Sequence, residues 1–282
     1  MGAAGETMQP LPSLILAAAW LVSVLRLTPW LLRRWNLYRE NFRGDSIPTA
    51  YGLAILLWSA PVLIGLRAAL PAHAKETLAC LCLACGMGML GFLDDYRGDR
   101  SIKGLRGHLR AFFRGQITTG LVKAAGGLLL SLLVCRLILG YSPGQTLLSG
   151  LLIALSANAL NLLDLRPGRA CAVFFAGALA LVVIQAGEQK TASLLLLVFV
   201  LPALFVYAKD RRGMAMLGDT GSNLLGSALG LCLVLATPSA IAQGCLLIGL
   251  LLLHLLAERR SLTQIIERSP LLRRLDSWTG VR

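Results

Sequence analysis

Apolar residues come in nine long runs, at 11–32, 51–70, 78–93, 117–139, 146–163, 170–187, 191–208, 219–237 and 239–257. Most approach the ~20 residues that a helix needs to cross hydrocarbon. Short polar segments part them, with no fixed-period repeat and no low-complexity linker. The pattern predicts an all-α, polytopic integral membrane bundle of about nine transmembrane helices. One domain covers 1–257, and a tail follows at 258–282. With no basic stretch ahead of it, the first run reads as a retained helix and not as a removed signal.

In the tail, Leu262, Ile265, Ile266, Leu271, Leu272, Leu275 and Trp278 recur three and four apart among Arg259, Arg260, Arg268, Arg273 and Arg274. That spacing predicts two short amphipathic turns interrupted at Pro270 and lying on an anionic leaflet. A solvated tail is the alternative. The arginine density forbids a span.

Composition agrees with the run pattern. A soluble chain of 282 residues could not hide 56% apolar residues, at a mean hydropathy of +0.70. The net charge of +13 could point to nucleic acid, but the placement of the charges argues against it. With nine spans, 21 of the 27 basic residues fall in segments on one side and three on the other. This asymmetry predicts an external N-terminus and a cytoplasmic C-terminus in a multi-pass cell-membrane protein. Arg26, Lys123 and Arg136 fall inside spans. Cys80, Cys82 and Cys85 sit mid-run without a histidine, so they read as small packing residues and not as metal ligands. Gly86, Gly88, Gly91, Gly226 and Gly230 read as close-packing positions between helices.

Three polar clusters interrupt the apolar pattern on the basic side. In GFLDD, Asp94 and Asp95 end a span side by side. Adjacent carboxylates repel each other unless a cation or proton intervenes, and Mg²⁺ with a phosphate substrate would suit them. A solvated helix end balanced by Arg97 and Arg100 is the plainer reading. In GDTGS, Asp219 opens a helix beside Gly218 and Thr220. Free amides at that helix start, with Lys209, Arg211 and Arg212 close by, suit a phosphate and its metal. A simple N-cap is the alternative. In SANALNLLD, Asn158, Asn161 and Asp164 make one stripe. It either glues helices together or lines a polar cleft that bonds a nucleotide or sugar.

GFLDD at 91–95, NALNLLD at 158–164 and GDTGS at 218–222, in that order, resemble the motifs of the polyprenyl-phosphate N-acetylhexosamine-1-phosphate transferases. NFRGDSIPTAYG at 41–52 is similar to that family's first cytoplasmic loop. The resemblance implies Mg²⁺-dependent transfer of a sugar 1-phosphate from a UDP-sugar to undecaprenyl phosphate, releasing UMP, in a bacterial plasma membrane. By the same resemblance, Asp219 would be a metal ligand, and Asp94 and Asp95 would position or deprotonate the lipid phosphate and help hold the metal. Asn161 and Asp164 would face the nucleotide, while Arg43 and Lys103 would hold phosphate. A homodimer is a possible assembly. The chain departs from the family after Asp164, where Leu165, Arg166, Pro167, Gly168 and Arg169 replace the usual Gly-x-Asp-Gly. It also lacks the family's histidine-rich motif near residue 258. A non-catalytic relative that binds polyprenyl phosphate or partner proteins is the second reading. A transporter is a third.

Overall fold

In a computed structural model, the described residues are 10–41, 43–98, 104–185 and 191–281. Helix α1 (Pro10–Arg34) leads into a hairpin of two short antiparallel strands, β1 (Tyr38–Glu40) and β2 (Ser46–Pro48). Then come α2 (Leu53–Ala69), α3 (Ala74–Arg97), the short α4 (Gly104–Phe113) and α5 (Thr119–Leu133), which runs on through a π-helical turn at Val134–Ile138. Next are α6 (Pro143–Leu163), α7 (Arg169–Ile184), α8 (Thr191–Asp210), α9 (Gly218–Ala236) and α10 (Ala240–Arg259). The tail forms α11 (Leu262–Arg268) and α12 (Pro270–Thr279), parted at Pro270 where the spacing predicts a break.

Each of the nine apolar runs lies on a helix. Among the described residues, seven helices are long and apolar enough to cross a membrane, and α2 and α7 are shorter apolar helices. The protein is therefore an all-α polytopic membrane protein. The β1–β2 hairpin and α4 are additions that the apolar pattern does not announce.

Helix α9 is the axis of the bundle. Of its spanning window 78% is buried, against 6% for α10, which leaves most of its surface to lipid. Its sequence explains the position. Apolar side chains gain nothing by leaving lipid for one another, so helices associate where small residues let backbones meet. Gly226 lies against α6, where a side chain would come within 2.6 Å of the Ala157 Cα and the Ser156 carbonyl. Gly230 meets Ile153 and Ser156 one turn on, and Gly91 of α3 lies on the backbone of Asp219 and Thr220. Gly86 and Gly88 do a different job, giving room to the side chains of Leu130 and of Leu56 and Leu224. The consequence for function is direct: α3 and α6 are drawn onto the first turns of α9, which carry GDTGS. Of the three cysteines read as packing residues, Cys80 is buried and Cys82 and Cys85 are half-buried; Cys135, Cys171 and Cys232 are buried too.

Candidate active site

The start of α9 is gripped by carboxylates from three other helices. Asp95 of α3 accepts the Asp219 amide on one oxygen at 3.0 Å, and on the other the Thr220 amide at 2.8 Å and hydroxyl at 2.6 Å. Asp164, just past the end of α6, accepts the Gly218 amide. Asp210, the last residue of α8, is 3% exposed and accepts the Leu217 amide together with the Gly168 amide at 2.8 Å. Negative charge belongs at a helix N-terminus, where four amides lack intrahelical partners. Gly218 makes the turn possible. Its φ is +73°, and a side chain there would strike the Thr49 carbonyl and the Asp95 carboxylate.

This corrects one expectation. The amides at the start of α9 are not free for a phosphate, because Asp95, Asp164 and Asp210 already hold them. Burial pushes the Asp164 carboxyl well above the usual carboxylate range, with the nearby charges of Asp210, Asp219 and Asp95 adding to the effect.

Clamped this way, α9 presents the Asp219 side chain to a lysine. Lys123 of α5 bonds to Asp219, and its ammonium lies 2.7 Å from Asp94 Oδ2. Thr119, one turn earlier on α5, donates to the other Asp94 oxygen at 2.5 Å. Asn161 completes the ring when its amide nitrogen faces Asp219 Oδ1, at 2.8 Å, and its oxygen faces Lys123, at 3.2 Å. The Lys123, Asp94 and Asp219 side chains retain 13%, 17% and 27% exposure, so the cluster opens toward Asp219.

Of the residues singled out in the sequence, Asp94, Asp95, Asn161, Asp164 and Asp219 meet in this one place. Asn158 lies one turn deeper and makes no side-chain hydrogen bond to the cluster. Lys209 turns away to the Tyr51 hydroxyl, at 2.8 Å. Arg43 sits on the hairpin turn, its amide held by the Asn41 side chain at 2.8 Å. Asn41 also ties that turn to the Gly213 carbonyl, at 2.8 Å, beside the loop that leads into α9. Lys103 lies outside the described residues. Lys123 is the residue that the motifs missed. An ionisable side chain inside an apolar span is a functional candidate by default, and that rule alone would have found it.

The tail is fastened to the same face. Arg169, 3% exposed, makes a forked pair with Asp276 of α12 at 2.7 and 3.1 Å. Thus the segment after Asp164 that departs from the family pattern has a structural task here. Its Arg169 anchors α12 and its Gly168 amide joins Asp210.

The described helices thus build a largely buried carboxylate cluster, paired with Lys123, at one end of an apolar bundle. Sequence comparison gives the class: the family model of glycosyl transferase family 4 matches residues 77–237, which run from the first turn of α3 to the end of α9. The chain belongs to that family, and membership supports the transfer of a sugar phosphate to a polyprenyl phosphate lipid at that general level.

Among the described residues, no group of three or more His, Cys, Asp or Glu side chains is placed to hold a metal ion. Two carboxylates do converge. Asp94 and Asp219 both aim at the position of the Lys123 ammonium, a point already chosen for positive charge. Hard carboxylate oxygens of this kind, completed by water and substrate phosphates, are what Mg²⁺ takes.

Proposed function

We propose that the protein transfers a sugar 1-phosphate from a UDP-sugar to undecaprenyl phosphate, with Mg²⁺, at the cytoplasmic face of a bacterial plasma membrane. The product begins a cell-envelope glycan. One observation carries the reading: Asp94 and Asp219, from helices far apart in sequence, share one ammonium at the rim of a membrane bundle of this family. An oxygen of the lipid phosphate attacks the sugar-bearing phosphorus. The bond from that phosphorus to the bridging oxygen breaks, and UMP leaves. Both reactants are anionic, and the site pairs Lys123 with Asp94 and Asp219 while Asp95, Asp164 and Asp210 stand at the start of α9 close by. Phosphates enter such a place only with a cation, and Mg²⁺ would neutralise the transferring group.

Asp219 and Asp94 would hold the ion. Lys123 would then turn its ammonium to a phosphate oxygen. Asp95 keeps Asp219 in place from behind, because both of its oxygens are occupied by α9. Asn161 and Asp164 would face the nucleotide, and Arg43 and Lys103 would hold phosphate.

Purified protein given undecaprenyl phosphate, Mg²⁺ and a panel of UDP-sugars should release UMP with at least one of them. Release from none, in bilayers where the protein stays folded, would reject the reading. The orientation has its own check. Accessibility tags at positions 73, 142 and 238 should report outside, and tags at 98, 167 and 210 inside. An inside signal at 142 would put the carboxylates on the wrong face for a cytoplasmic nucleotide sugar.

A further inference from the structure

Four arginines stand where α7 and α8 reach the basic side of the bundle. Two have acidic partners in the tail: Arg169 pairs with Asp276, and Arg166 with Glu267 at 3.5 Å. The other two, Arg211 and Arg212, follow directly after α8, and neither meets a carboxylate among the described residues. They line a cavity of about 640 Å³ with Leu204, Tyr207, Ala208 and Val281. None of these residues belongs to the Asp94–Lys123–Asp219 cluster.

The cavity wall changes character along its length. Leu204, Tyr207, Ala208 and Arg211 follow the three-and-four spacing of one helix face, so they form a single stripe on α8. The stripe begins at Leu204, 47% exposed on a surface that meets lipid, and ends in guanidinium groups at the helix end. Arg211 lies over the Tyr207 ring, 5.3 Å from its centre, which holds the side chain back along the helix. The tail supplies another wall, since the Val281 amide donates to the Arg211 carbonyl at 2.8 Å. Asp210, the nearest acid in sequence, points inward to the Gly168 amide, and no acidic side chain lines the cavity among the described residues.

An apolar wall running into two unneutralised guanidiniums at a bilayer surface matches a lipid with an acidic head group. A zwitterionic head group would bring a cation that finds no acidic side chain among the described residues of the lining. We propose that this cavity binds an anionic phospholipid, its phosphate between Arg211 and Arg212 and an acyl chain along Leu204 and Ala208. The bound lipid bridges α8 to the tail.

The test uses the full chain in mild detergent. Phosphatidylglycerol is titrated against phosphatidylcholine and bound lipid is counted by native mass spectrometry, with a photoactivatable acyl chain to locate it. Phosphatidylglycerol should be retained in preference, and its crosslinks should map to residues 204–212. Arg211→Gln with Arg212→Gln should weaken binding about thirtyfold, taking roughly a fivefold factor per arginine near an anionic group. Arg211→Lys with Arg212→Lys, which keeps the charge, should stay within several-fold of the wild type. Equal retention of phosphatidylcholine, wild-type crosslinks mapping elsewhere, or unchanged binding by the glutamine variant would each overturn the assignment. So would displacement by inorganic phosphate as effective as that by free phosphatidylglycerol, since it would mark a site for small anions. The wild-type crosslinking decides the matter even if the glutamine variant does not fold.

Discussion

Lys123→Met should abolish transfer and destabilise the protein in the same stroke. The substitution keeps the length of the side chain and deletes its ammonium, leaving Asp94 and Asp219 to face each other. Removing one partner of a buried ion pair costs about 3–5 kcal/mol; the lower end applies here, because the three side chains keep 13–27% exposure. Turnover should fall at least a hundredfold, roughly the scale of losing one preorganised charge at a reacting phosphate. The two roles separate in a thermal-melt series. With the lysine gone, millimolar Mg²⁺ should raise the melting temperature more in the variant than in the wild type, because two bare carboxylates remain to receive it. Adding Asp94→Asn to Lys123→Met should recover stability without recovering activity. A Lys123→Met protein that turns over like the wild type would remove the lysine from the mechanism.

The second large effect distinguishes two aspartates that stand together in structure but act differently. Asp219→Asn preserves shape and removes charge at the most open member of the cluster. UMP release should drop by roughly two orders of magnitude or more, while the yield and melting temperature hold. Asp95→Asn acts through the fold. It loses one acceptor for the α9 amides, and a lost helix cap costs about 1–2 kcal/mol. Activity should fall because Asp219 is no longer held in place, and the melting temperature should fall with it. Cys82→Ala, inside α3 and away from every charged group described, should change neither. If Asp219→Asn lowered stability as much as Asp95→Asn, the division of labour drawn from their hydrogen bonds would be wrong.

The sequence made the bundle legible because hydropathy acts through long contiguous runs. Each of the nine runs lies on a helix, and the break at Pro270 falls where the ring forbids a continuous helix. The three motifs were legible as well, since each breaks an apolar run with acids or amides on the same, basic side. What the sequence hid depends on pairing across helices. Nothing local in GDTGS says that its amides are already taken, because their acceptors, Asp95, Asp164 and Asp210, come from α3, the end of α6 and α8. Lys123 hid for a related reason. Its partners lie 29 and 96 positions away in the chain, and only the packing of α5 against α3 and α6, which both pack on α9, brings them together. The β1–β2 hairpin was invisible because its strands are three residues each, too short for an alternating pattern to register.

The triple carboxylate grip on α9 also makes the enzyme a gauge of its surroundings. The stance of Asp219 is set by how α3, α6 and α8 stand relative to one another, and in a bilayer those stances answer to hydrocarbon thickness and lateral pressure. A thinner or thicker membrane tilts the helices, and the tilt is delivered through three hydrogen-bonded anchors to the carboxylate nearest the reaction. Turnover should therefore change between membranes of different thickness before the melting temperature does.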